Sequence, residues 1–207
     1  MIRVLLADDH EIVRDGLKRI LAASGDVQVA GEAANGDEAL ALVRANDYDL
    51  ALLDMSMPGL SGIDLVKRLK AEKPKMKLLV LSMHGEPQYA ARALKAGAAG
   101  YLTKDSAAEQ LVGAIRKVAA GGLLVSEAAA AGLLAASTGE GPLHSRLSDR
   151  EFEVFKQLAG GASPTEIARR LNLSVKTVST HKTRIQDKLG LASTAELVRY
   201  ALEHQLL

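Results

Sequence analysis

Residues 1–121 predict an α/β, doubly wound (βα)5 domain built on a parallel sheet. Residues 147–207 predict a small all-α domain of four helices containing a helix-turn-helix, and residues 122–146 join the two. Three observations carry this expectation. Five short apolar runs punctuate the first 120 residues, near-continuous rather than alternating, as strands buried on both faces should be. Stretches with helical apolar spacing separate them, and that alternation implies a sheet with helices on both sides. From Leu147 onward strand-like runs cease and helix-start signals recur.

The first strand is "IRVLLA" from Ile2, followed by a helical stripe of Ile12, Val13, Leu17, Ile20 and Leu21. "VQVAG" from Val27, "DLALL" from Asp49, "KLLVLS" from Lys77 and "AGYLT" from Ala99 supply the other four strands. Ile63, Val66 and Leu69 mark one later helix, and Leu111, Ile115 and Val118 another. After Gly121–Gly122 the pattern dissolves into Ala, Gly and Ser; the first half of this stretch suits a short helix and the rest a linker. In the last third, Ser148…Glu151, Ser163…Glu166 and Ser193…Glu196 have capping-box spacing, Ser174 opens a further helix, and Pro164 fits a first helical position. Gly160 and Gly190 stand where helices should stop.

The 207 residues are 48% apolar and 25% charged, ordinary globular values, but only 3% aromatic, so aliphatic side chains must fill the core. The absence of cysteine excludes a disulfide framework and a thiolate metal site, and suits a reducing cytosol. No apolar run reaches the roughly 18 residues of a membrane span, and no secretory leader opens the chain, so a cytoplasmic protein without a membrane partner is expected. Charge is uneven. Residues 1–145 carry 16 Lys/Arg against 18 Asp/Glu, whereas residues 146–207 carry 10 against 7, which points the second domain toward an anionic partner.

In a parallel sheet every strand's C-terminal end lies on one edge, where ligands bind. The apolar runs end there in Asp8 and Asp9, Asp54, Ser82 and, after the fifth, Lys104. A strand-end aspartate by itself is an ordinary cap or turn residue. Four such positions at one edge are a site. Three converging carboxylates call for a counter-charge, and a hard divalent cation, Mg²⁺ or Mn²⁺, takes oxygen ligands of this kind. Asp54, alone at the end of the central strand, could act as a nucleophile and carry an aspartyl phosphate. Lys104 would neutralise phosphoryl oxygens and the Ser82 hydroxyl would donate to one. The histidines His10, His84, His144, His181 and His204 share no metal-ligand spacing; His84, beside Ser82, is expected to border the pocket. "GEAANG" from Gly31 lacks the glycine spacing of a nucleotide-binding loop.

"ADDH", "LLDMSMPGLSG", "VLSMH" and "GYLTKD" together resemble the receiver domain of two-component response regulators, over residues 1–121. The resemblance implies that Asp54 is the phospho-acceptor and that Asp8, Asp9, Asp54 and the Ser56 backbone carbonyl hold the metal. It also implies that Ser82 and Tyr101 are the switch residues. Asp105 follows Lys104 where many receivers carry proline, which leaves the isomer of that peptide open.

In "SPTEIARRLNLSVKTVSTHKTRIQDKL" two capped helices flank "LNLS", a helix-turn-helix pattern. On the second helix Val178, His181, Ile185 and Leu189 share one face, so His181 is read as packing. Lys176, Ser179, Thr180 and Thr183 occupy the opposite face, flanked by Thr177, Arg184 and Lys188. Small polar side chains allow a helix close to base edges, while flanking cations and hydroxyls hold phosphates. "LSDRE", "PTEIARRL" and "SVKTVSTHKTRIQDKL" resemble the LuxR-type DNA-binding domain. Together the halves resemble a LuxR/NarL-type (NarL/FixJ) response regulator, which implies a transcription factor switched by phosphorylation of Asp54. The implied partners are double-stranded DNA, a sensor histidine kinase or small phosphodonor, a second copy of the chain, and RNA polymerase as a further candidate.

Two rivals compete with that expectation. A phosphatase or phosphotransferase could use an aspartyl nucleophile and Mg²⁺ on a similar sheet, but haloacid-dehalogenase-type enzymes place the nucleophile in a DxD motif after the first strand. "ADDH" is not that motif, and no cap domain is visible, so no enzyme is expected. The other rival is a receiver that never meets phosphate and serves only as a dimerising DNA-binding module.

Overall fold

The most apolar runs of the sequence form the central strands of a five-stranded parallel sheet ordered β2-β1-β3-β4-β5. In the computed structural model, which describes residues 1–60, 62–82, 87–127, 129–131, 134, 142–204 and 206–207, the strands are β1 (Ile2–Ala7), β2 (Val27–Ala33), β3 (Leu50–Asp54), β4 (Lys77–Ser82) and β5 (Gly100–Thr103). Helices α1 (Glu11–Ala22), α2 (Gly36–Ala45), α3 (Gly62–Glu72), α4 (Pro87–Lys95) and α5 (Lys104–Ala119) alternate with them. Every residue of β3 is buried, whereas the edge strands β2 and β5 keep partly exposed positions.

The pleat explains why the central runs are apolar throughout. Leu5, Ala7, Ala51, Leu53, Leu78 and Val80 point to the layer that holds α2, α3 and α4. Their neighbours Val4, Leu6, Leu50, Leu52, Leu79 and Leu81 point to the layer of α1 and α5. Successive side chains face opposite layers, so no position in these strands can be polar without facing a core. The stripes expected on α3 and α5 are buried in full. On α1 the expectation needs correction at one place: Val13, Leu17, Ile20 and Leu21 meet the core, but Ile12 is 88% exposed, because it lies off the face that those four share.

The chain divides into two compact units, Met1–Ala130 and Ala131–Leu207. Before the first unit closes, Leu124 bridges Gly100 in parallel; its amide donates to the Ala99 carbonyl (2.9 Å), and the Tyr101 amide donates to the Leu124 carbonyl (3.3 Å). The segment after α5 thus adds to the open edge of β5. Of the expected short helix and linker, residues 128, 132–133 and 135–141 lie outside the described residues, as does His84.

In the second unit a 3-10 turn (Leu143–Arg146) precedes α6 (Asp149–Ala159), α7 (Pro164–Arg170), α8 (Val175–Leu189) and α9 (Thr194–Glu203). Ser148 with Glu151 and Ser163 with Glu166 form complete capping boxes. At α9 only half of the expected box forms: Ser193 accepts from the Glu196 amide, but the Glu196 carboxylate turns to the Ala192 amide instead (2.6 Å). Both phenylalanines of the chain, Phe152 and Phe155, lie in this core, with Tyr200 edge-on to Phe155. A small domain has few core positions, and each large ring fills more of it.

Candidate functional site

The register of the sheet delivers the acidic edge. Asp54 ends β3 paired with Leu81, and Ser82, one residue further along β4, pairs with Thr103, the residue before Lys104. The Asp8 amide donates to the Ala33 carbonyl (3.1 Å), which carries the strand-like path of β1 one residue beyond its end. The acids therefore emerge where the sheet stops and α1 begins.

Lys104 Nζ donates to Asp8 Oδ2 (2.7 Å) and to Asp54 Oδ2 (2.9 Å), three side chains drawn together from three strand ends. The carboxylates of Asp8 and Asp54 are 1% exposed, and the lysine side chain 10%. Asp8 Oδ1 accepts from the His10 amide (2.8 Å), and Asp54 Oδ1 accepts from the Ser56 amide (3.2 Å). Asp9 is the accessible member of the pair, with its side chain 30% exposed and its Oδ1 3.0 Å from His10 Nδ1.

Burial pushes the Asp54 carboxyl above its ordinary value and the charge of Asp8 adds to this, against the pull of Lys104 and the Ser56 amide. Burial would lower Lys104, but its hydrogen bonds and attraction to the two carboxylates outweigh that and hold its ammonium above the usual lysine range. Ligand atoms of Asp8, Asp9, His10 and Asp54 all lie within 4.8 Å of one another. An acidic pocket with hard oxygen donors fits a hard divalent cation. The Lys104 ammonium is a counter-charge already in place, so the cation is not the sole reason that three acids can converge.

Ser82 is buried at the end of β4, and Tyr101 is half-buried on the α2–α4 side of the sheet. Among the described residues no peptide bond is cis, so Lys104–Asp105 is trans. Two neighbours of the site escaped the sequence reading. His10 occupies the N-cap position of α1 without a side-chain capping bond and touches both acids, and the Arg14 guanidinium donates to the Asp8 carbonyl (2.6 Å). The four-residue step from His10 to Arg14, one helical turn, was the available signal.

On α8, Lys176, Ser179, Thr180, Thr183 and Arg184 are exposed, while Val178, Ile185 and Leu189 are buried. The hydroxyls of Ser179, Thr180 and Thr183 donate to the carbonyls of Val175, Lys176 and Ser179, which leaves their lone pairs directed outward as acceptors. Thr177 is partly buried and serves the N-terminus of α8: its amide donates to the Ser174 hydroxyl, whose oxygen lies 2.7 Å from its own. His181 is half-buried with Nδ1 enclosed, and burial lowers its pKa. Lys188, expected among the phosphate contacts, is exposed, and its ammonium donates to the buried Glu151 carboxylate (2.6 Å).

A sheet edge that gathers a reactive carboxylate, an acid pair and a lysine, followed by a helix-turn-helix, defines a signalling protein with a DNA-binding output domain. Residues 4–116 match the response regulator receiver domain family, and residues 145–201 match the luxR family of bacterial regulatory proteins. The response regulator UvrY of Escherichia coli O6:H1 is 38% identical over 100% of this chain and 96% of its own length. The response regulator GacA of Pseudomonas aeruginosa is 38% identical over 99% and 97%. RcsB of Salmonella enterica serovar Typhimurium, solved bound to promoter rprA in the presence of the phosphomimetic BeF3-, superposes with a TM-score of 0.71 at 30% identity over 96% of this chain and 97% of that one. The chain belongs to the NarL/FixJ family of two-component response regulators, with a receiver domain and a LuxR-type DNA-binding domain. Among the described residues no helix is long and apolar enough to cross a membrane.

Proposed function

We propose that this response regulator is a cytoplasmic, Asp54-phosphorylated switch that pairs into a homodimer to bind promoter DNA and takes its phosphoryl group from a sensor histidine kinase. Residues 1–121 act as the receiver, 122–146 as the linker and 147–207 as the DNA-binding part. The observation that carries the proposal is the Lys104 ammonium set between Asp8 and Asp54 at 2.7 and 2.9 Å. A nucleophilic carboxylate held beside a fixed cation at a sheet edge is arranged to receive an anionic group.

One Asp54 oxygen attacks the donor's phosphorus; the P–O bond forms as the donor's P–N bond breaks, and the leaving imidazole recovers a proton from solvent. Lys104 exchanges its contact with the Asp54 carboxylate for one with the phosphoryl oxygens, and the Ser82 hydroxyl donates to another. Asp8, Asp9, Asp54 and the Ser56 carbonyl would hold Mg²⁺ or Mn²⁺, which when bound supplies charge neutralisation for the transferring group. The new group adds about −1.5 to −2 charges. Drawing Ser82 toward it opens space for Tyr101 to turn inward between β5 and α4. On DNA, Thr180, Thr183 and Ser179 face the bases, Lys176 and Arg184 the phosphates, and Thr177 the helix start.

Acetyl phosphate with Mg²⁺ should label the wild-type chain once, and Asp54→Asn should abolish the label. Undiminished labelling of that variant would refute Asp54 as acceptor, and an unlabelled wild type would favour a phosphate-independent DNA-binding module. Sustained hydrolysis of a generic phosphomonoester would instead favour an enzyme.

A further inference from the structure

We propose that Lys188 is a positioning residue, which sets the pose of α8 against α6 through Glu151, and that it is not one of the phosphate contacts. The inference rests on α8 being the DNA-facing helix. Lys188 lies in the last turn of α8, and Glu151 in the first turn of α6, 37 residues away. The Glu151 Oε2 that accepts from Lys188 also accepts from the Ser148 amide (2.8 Å).

The second complete capping box of the chain is an internal comparison. Glu166 of α7 bonds the amide and hydroxyl of Ser163 in the same way, but it is exposed and takes no lysine. Water can solvate that carboxylate. Glu151, 4% exposed, has lost that solvation, and a buried carboxylate needs a counter-charge. Burial raises the Glu151 carboxyl, and Lys188 with the two Ser148 donors outweighs it, leaving it below its ordinary value. The Lys188 side chain, 40% exposed, spans the two helices, and its ammonium reaches the buried carboxylate. Lys176 and Arg184, exposed like Lys188 on the same helix, make no salt bridge among the described residues.

The apolar contacts of Val178, Ile185 and Leu189 hold α8 on the core but are non-directional. A short, directional ion pair at one end fixes the slide of α8 along α6, much as a single buried polar pair sets register in helical assemblies. The pose decides whether Thr180 and Thr183 reach base edges together.

The test uses the full-length chain and a labelled mixed-sequence 24-base-pair duplex over a salt series, with circular dichroism at each condition. Four proteins are compared: wild type, Arg184→Met, Lys188→Met, and Lys188→Met combined with Glu151→Gln. Arg184→Met should lower the slope of log affinity against log salt by about 0.9, one lost phosphate contact. Lys188→Met should weaken binding several-fold at a slope equal to wild type, because it leaves a buried charge unpaired. The double variant removes both charges and keeps a capping side chain, so its affinity should return to within about twofold of wild type. It also keeps the comparison decisive if Lys188→Met alone fails to fold. A folded double variant whose slope has fallen by about 0.9 would make Lys188 a phosphate contact and overturn the proposal. Unchanged affinity in Lys188→Met would overturn it too. A wild type without salt-dependent binding, or Arg184→Met with an unchanged slope, would overturn the DNA-facing assignment of α8 and the proposal with it.

Discussion

Asp8 and Asp9 are neighbours in sequence and opposites in environment. Both oxygens of Asp8 are engaged, one by the His10 amide and one by Lys104, whereas Asp9 leaves its side chain 30% exposed beside the same pocket. Asp9→Ala should therefore weaken Mg²⁺ binding more than Asp8→Ala in a titration of the purified chain; equal or reversed losses would contradict this. Lys104 gives a second residue-level expectation. Removing it leaves two buried carboxylates without their ammonium, so Lys104→Met should cost on the order of 3 kcal/mol in urea unfolding. Added Mg²⁺ should return part of that loss. The pKa of Lys104 is raised on folding, so its contribution is complete below the ordinary lysine value and fades as pH rises through the raised one. Stability of the wild type should fall on that alkaline limb, and the variant should lack the fall. A variant as stable as wild type in the absence of metal would show that the bridge contributes nothing.

Elements made of near neighbours were legible in the sequence, and contacts between distant elements were not. The apolar runs located β1, β3 and β4 because burial on both faces leaves no choice of residue there; β2 runs two residues past its apolar run, where edge exposure admits Glu32. The acidic edge was legible too, since topology alone brings parallel strand ends together. What periodicity could not carry was the partner of each charge. Nothing near Lys188 announces Glu151, and nothing near Asp26 announces Arg116, 90 residues on. That second pair fastens α5 to the start of β2 through two 2.8 Å bonds. Hydrogen bonding to Arg116 holds the Asp26 carboxyl down at about 2, so the pair contributes above the ordinary aspartate value and is lost as pH falls toward 2. Asp26→Asn should differ from wild type at pH 6 and converge with it near pH 2, by thermal melting; a pH-independent difference would point to packing instead. The pair is exposed, so high salt should shrink the effect. Gly36, which opens α2, makes another long-range contact: any β-carbon there would overlap the Leu60 carbonyl of the loop that follows Asp54. Gly36→Ala should cost about 1–3 kcal/mol in urea unfolding and slow acetyl phosphate labelling, because the loop must move. Unchanged labelling would show that Asp54 does not depend on how α2 seats its loop.

For the molecule as a whole, charge is divided as its two tasks require. The sheet-bearing part is slightly acidic and holds an acidic pocket compatible with a cation, and the 62 residues from Arg146 carry three more basic than acidic side chains. Attraction to DNA follows the number of phosphates that side chains neutralise, each adding about 0.9 to the salt slope, rather than the small net excess. On the proposed reading, two copies would double the contacts and make them conditional on pairing, at the step that phosphorylation adjusts. Helix-turn-helix pairs read half-sites on one face of the duplex, about 10 base pairs apart or a multiple of that. Once a bound promoter fragment is in hand, inserting 5 base pairs between its half-sites should turn one site to the far face. Binding of the acetyl phosphate-treated chain should then fall to that of a single half-site. Inserting 10 should restore the phase and most of the affinity. Thr183→Ala should change base preference at particular positions by roughly 1–3 kcal/mol while leaving this spacing rule intact. Equal binding to the fragments lengthened by 5 and by 10 base pairs would mean that each copy binds alone, and that phosphorylation acts on the DNA-binding part without joining two chains.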